Sequence, residues 1–163
     1  KFCRSKFSED VPAGGTYGPI EEALIADLSE KLKTYETHMA DMEVRKSASA
    51  LRAIWVAGNE YLQNTAPWAT FKTDPEQAAA QVRLGLNLIG LYARLSAPFI
   101  PDTADKIKAA LNMSDLDWPT DIATTLNEFK VGHAFTVPDN LFVKIDDDQR
   151  AEWAEKFAGK RED

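Results

Sequence analysis

The chain has 163 residues, enough to bury a core without cross-links, and its lone cysteine, Cys3, excludes an internal disulfide and fits a reducing, cytosolic compartment. With His38 and His133 as the only histidines, no Cys/His spacing suits a zinc ligand set, so no metal is expected. A net charge of −7, from 26 acidic and 19 basic side chains, opposes the broad electropositive surface of a non-specific nucleic-acid binder, although Arg45, Lys46 and Arg52 crowd one segment and allow a local basic face.

The opening Lys1-Phe2-Cys3-Arg4-Ser5-Lys6-Phe7 starts without Met and has no apolar run of a secretory signal. It reads as the last turn of a helix begun upstream, and therefore as an excised fragment or processed chain. Val11 to Gly18 is a turn-rich loop. From Pro19, a first-turn proline, the spacing of Leu24, Leu28, Leu32, Tyr35, Met39 and Met42 predicts an amphipathic helix to about Thr37. A second helix is predicted over Glu43 to Asn64, with Val44, Ala48, Leu51, Trp55, Gly58 and Leu62 inward, Ile54 and Tyr61 flanking, and Arg45, Arg52 and Asn59 on the polar side.

Asp74-Pro75-Glu76-Gln77 has the pattern of a capping box and opens a third helix that reaches Leu95. Two apolar stripes, Val82/Leu86/Ile89/Ala93 and Leu84/Leu88/Leu91/Tyr92/Leu95, make this helix central. Its region from Leu84 to Ile100 is interrupted by Asn87, Arg94, Ser96 and Pro98, so no membrane span is expected. Ala97 to Pro101 turns the chain, Asp102 to Leu111 resumes helix, and a short helix is predicted near Asp121 to Asn127. His133 to Ile145 holds two short β-prone runs around Pro138-Asp139-Asn140 and reads as a small irregular or strand-like clip. Asp146 with Gln149 repeats the capping pattern, Trp153 and Phe157 give the last helix an inward face, and Gly159 stops it. The fold class is all-α, a helical bundle forming a single domain over residues 1–163.

Chemistry is sparse. Gly14-Gly15 and Gly18 do not follow a strand and carry no Lys-Ser or Lys-Thr behind them, so they belong to a turn. Nothing places Cys3 beside His38 or His133 as nucleophile and base, and His133 among apolar neighbours reads as a satisfied, partly buried side chain. Glu21 and Glu22 suit the positive end of a helix. No catalytic residue is expected in this chain.

The string Asn59-Glu60-Tyr61-Leu62-Gln63-Asn64-Thr65-Ala66-Pro67-Trp68 raises a separate question. On residue type alone, a tryptophan at a helix end belongs in a core more often than at a ligand face. Pro67 restricts its neighbours, so whichever face Trp68 shows is presented with little entropy left to lose.

This string, with Lys72 four residues after the Trp, Pro98 and Pro101 closing the following helix, and a weaker echo in Gly132-His133 and Leu141 to Asp146, resembles the C-terminal anticodon-binding domain of methionyl-tRNA synthetases, class I enzymes. The resemblance implies a helical bundle of the class Ia synthetase anticodon-binding type. It also implies that Trp68 stacks on the first anticodon base, a cytosine, while Asn59 and Pro67 line and shape the same pocket. By the same resemblance, the chain reads the CAU anticodon loop of methionine tRNA for a catalytic domain of the same polypeptide. That domain binds ATP and methionine and lies outside this sequence, as do the family's pocket Asn and Arg, which would precede Lys1. The fragment itself then needs no cofactor. Two alternatives stay open: the equivalent domain of a sibling class I synthetase, and an acidic helical protein-interaction module.

Overall fold

The computed structural model describes residues 1–159. Among these residues eight helices follow in chain order: α1 (Phe2–Lys6), α2 (Pro19–Ala40), α3 (Val44–Thr65), α4 (Pro67–Thr70), α5 (Pro75–Ser96), α6 (Pro101–Ala110), α7 (Ile122–Thr125) and α8 (Asp147–Phe157). Prolines occupy the first turn of α2, α4, α5 and α6, where their missing N–H costs nothing. No helix among the described residues is long and apolar enough to cross a membrane.

The centre is α5. Sixteen of its 22 residues are buried, because the two apolar stripes face two separate cores. On one side Leu84, Leu88, Leu91 and Leu95 meet Leu24, Leu28, Leu32 and Tyr35 of α2 and Leu51, Ile54 and Tyr61 of α3. On the other, Val82, Leu86 and Ala93 meet Cys3, Val11, Leu111, Met113, Phe129 and Phe135. The polar residues within α5 are put to use. Asn87 accepts from the Phe129 N–H at 2.8 Å and donates to the Phe129 carbonyl at 3.3 Å, clamping an otherwise irregular segment onto the helix. Buried Arg94 pairs with Glu128 at 2.8 Å, and Arg83 donates to the carbonyls of Pro12, Gly14 and Gly15, stapling the loop before α2. Gly15 needs its left-handed backbone (φ 56) there, since a Cβ would stand 2.5 Å from the Glu76 carbonyl oxygen.

Helices α3 and α5 approach closely through Gly58, where an added Cβ would lie 1.7 Å from the Tyr92 hydroxyl. That hydroxyl is buried without a hydrogen-bond partner among the described residues, and burial pushes its pKa up to about 12. Tyr35, buried at the α2–α5 contact, donates to the Leu95 carbonyl at 2.9 Å and is likewise pushed up to about 12 by burial.

Several expectations are corrected. The buried stripe of α3 is Ser47, Leu51, Ile54, Ala57, Gly58 and Tyr61, so Val44, Ala48 and Trp55 face outward; the shift arises because α3 packs against α2 and α5 together, and the inward arc is centred between them. Met42 is also exposed, as the turn after α2 sets it in a left-handed conformation beyond the helix end. Ile89, expected in the first stripe of α5, is exposed. Of the irregular or strand-like clip expected before the last helix, the irregular form is the one present: it carries one isolated bridge, between Asp10 and Ala134, and no strand lies among the described residues. Trp153 and Phe157 do not form an inward face, since α8 has no buried residue.

The capping expectations hold in part. Asp74 and Asp146 accept from the N–H groups of Gln77 and Gln149 at 3.0 and 2.8 Å. His133 reads as expected, its Nε2 at 2.6 Å from the Leu111 carbonyl oxygen and its ring stacked on Phe129.

Candidate nucleic-acid interface

Two threonines, Thr65 at the end of α3 and Thr70 in α4, tie the backbone down at this junction. Thr65 Oγ1 donates to the Tyr61 carbonyl at 2.8 Å, and Thr70 Oγ1 donates to the Thr65 carbonyl at 2.9 Å. Between them Ala66 adopts a left-handed conformation, φ 42 and ψ 64, its N–H bonded to the Leu62 carbonyl at 3.1 Å. A left-handed alanine is strained, and such strain persists only where the surroundings over-determine it. Pro67 follows as the first residue of α4 and is buried, so the chain turns sharply and at once enters a second helical turn. Pro67 thus opens a new helix as well as closing the old one.

Trp68 emerges from this corner 47% exposed. The expectation from residue type alone, a core tryptophan, is therefore overturned: the buried residues of the junction are Tyr61 and Pro67. Phe71, one turn on, carries the anchoring that Trp68 does not. Its ring takes edge-to-face contacts from Phe2 at 6.1 Å and Phe7 at 5.2 Å, and the Lys6 ammonium lies over it at 6.0 Å. Asn59 is exposed on α3, and its amide makes no hydrogen bond among the described residues. Asn59 therefore lies on α3 two turns before its end, and Pro67 and Trp68 on α4; Asn59 and Trp68 are exposed and Pro67 is buried.

One supporting feature has only a faint sequence signal. Glu21 is 2% exposed, yet its carboxylate accepts from the Gly18 N–H at 2.9 Å and from the Tyr61 hydroxyl at 2.8 Å. Burial first, and then the hydrogen bond to Glu21, drives the Tyr61 phenol far above its ordinary pKa. The pair ties the last turns of α3 to the start of α2 from within. Glu21 at the third position of α2 is legible as a helix-start acid, but its partner 40 residues away is not.

The same arrangement has known relatives. The family model described as the anticodon binding domain of methionyl tRNA ligase matches residues 11–162. The methionine–tRNA ligase of Ruegeria pomeroyi is 66% identical over 161 residues and that of Paracoccus denitrificans 61%; each alignment covers 99% of this chain and 28% of the relative. Among solved structures, the free Mycobacterium tuberculosis methionyl-tRNA synthetase superposes with a TM-score of 0.67 over 87% of this chain and 29% of that one, at 21% identity. The same enzyme with methionyl-adenylate gives 0.68 over 88% of this chain. At that identity the structural likeness speaks for the fold, while the family match favours the methionine group over its siblings. The chain spans about 28% of the length of its ligase relatives, and it belongs to the anticodon-binding-domain family of methionyl-tRNA ligases.

Proposed function

We propose that this chain reads the anticodon loop of methionine tRNA, and that Trp68 stacks on the first anticodon base, the cytosine of CAU. The observation that carries this reading is a half-exposed indole on a corner fixed by Ala66, buried Pro67, the threonine bonds and the Phe71 anchor. RNA sequence is read mainly from unpaired loop bases, which stack on aromatic rings and hydrogen-bond along their edges. Stacking is worth about 1–3 kcal/mol per base but tolerates any base, so discrimination falls to polar groups such as the free amide of Asn59. In this reading Asn59 and Pro67 line the pocket, a catalytic domain of the same cytoplasmic polypeptide binds ATP and methionine, and the anticodon contact licenses transfer to the matching tRNA.

The test is Trp68→Ala in a full-length methionine–tRNA ligase carrying this chain. tRNA affinity measured by fluorescence titration falls on the order of tenfold or more, while ATP-dependent methionine activation stays unchanged. Trp68→Phe keeps part of the affinity. Undiminished tRNA binding by Trp68→Ala overturns the proposal.

A further inference from the structure

The outward face of α3 carries a second, unassigned feature. Arg45, Arg52 and Asn59 recur every seven residues, which in a helix of 3.6 residues per turn aligns them within a narrow strip, and Gln63 continues it. All four side chains are exposed. The strip runs along the helix axis toward the Ala66–Trp68 corner, with Arg52 about 10 Å below Asn59 and Arg45 about 10 Å below that, at 1.5 Å per residue.

The two arginines differ from the rest of the described ones. Arg4 pairs with Glu9, Arg94 with Glu128 and Asp115, Arg150 with Asp147, and Arg83 spends its guanidinium on three loop carbonyls. The lysines of the α2–α3 pair are also engaged: Lys31 with Asp27, Lys33 with Glu30, Lys46 with Glu43. Arg45 and Arg52 have no carboxylate partner among the described residues, although Asp27 and Glu60 line the same shallow α2–α3 groove as Arg52. In a chain of net charge −7, these two guanidiniums without a carboxylate partner share one exposed strip of α3, whose C-terminal end leads into the corner that carries the exposed Trp68. A guanidinium offers a planar donor fork that matches phosphate oxygens, and phosphate contacts fix the register of a nucleic acid while base contacts specify it.

Resting on the anticodon reading, we propose that Arg45 and Arg52 bind backbone phosphates of the RNA strand adjoining the base on Trp68, so that α3 holds the loop in register along its length.

The experiment measures binding of methionine tRNA to the full-length ligase across a range of salt, for Arg45→Gln/Arg52→Gln, Arg52→Lys, Trp68→Ala and, as a control on α2, Lys33→Gln. The double variant loses affinity several-fold at low salt, to the same extent for the native anticodon and for one with its first base changed. Its plot of log affinity against log salt is shallower by roughly 0.7 per arginine, the increment for one single-strand phosphate contact. Arg52→Lys keeps the slope, and Lys33→Gln changes neither quantity. Unchanged affinity and slope in the double variant, alongside a loss in Trp68→Ala, overturn the phosphate contacts and leave the anticodon reading standing. A loss confined to the native anticodon also overturns them, because it marks a base contact. If Trp68→Ala binds normally as well, both readings fall.

Discussion

Helix α5 and helix α8 start alike, each with an aspartate accepting from the N–H three residues on, yet α5 is buried along most of its length and α8 nowhere. Phe142, Val143, Ile145, Trp153 and Phe157 stand exposed along the C-terminal arm, whereas the equivalent apolar residues of α5 are shared between two cores. The difference shows that a cap decides where a helix begins, and packing decides what it contributes. Capping is local, and burial depends on what the rest of the chain brings alongside.

The comparison breaks most decisively if core and arm respond equally to truncation. Leu84→Ala and Leu28→Ala, at fully buried positions, each cost about 2–5 kcal/mol in denaturant unfolding. Gly58→Ala costs about 1–3 kcal/mol through overpacking against the Tyr92 hydroxyl, and pairing it with Tyr92→Phe recovers part of the loss in a double-mutant cycle. Tyr61→Phe removes one of two partners of a buried carboxylate and costs about 1–3 kcal/mol, while tRNA affinity falls only as far as the α3 end loosens. Trp153→Ala and Phe157→Ala change stability by no more than about 0.5 kcal/mol, because neither side chain is buried. A loss at Trp153 as large as at Leu84 sinks the contrast.

Alkaline titration sharpens it further. Tyr35 and Tyr92 ionise near pH 12 when folded and near 10 when unfolded, so the folded state holds their protons longer. Their contribution is complete below about pH 10 and is lost as pH rises from there through 12. Tyr35→Phe therefore flattens the fall in stability over that window. Tyr92→Phe does the same with little cost at neutral pH, its hydroxyl having no partner to lose.

The helices were legible because their signals are local. Pro19, Asp74 and Asp146 mark the starts of three of them, and the two stripes of α5 announce a helix covered on both sides. Periodicity points Val44 and Trp55 inward on α3 and the structure turns both out, since periodicity fixes the spacing of a stripe and the neighbours fix its angular position. In the same way the β-prone residues around Pro138 lacked a partner strand, and composition cannot supply one. At the candidate interface, the Asn59–Trp68 string was visible from the sequence, as were Arg45 and Arg52. The Glu21–Tyr61 bond, the threonine ties and the clasp of Phe2 and Phe7 on Phe71 were not, because each joins residues through the fold or through side-chain geometry.

The alanine at position 66 has a consequence for how the tryptophan can be tuned. Glycine would settle into the same backbone angles with less strain, but it would also give the corner many other shapes when unoccupied. Ala66→Gly should then leave the folded protein's melting nearly unaltered while slackening the wrist that aims the indole, separating the cost of holding a pose from the cost of folding.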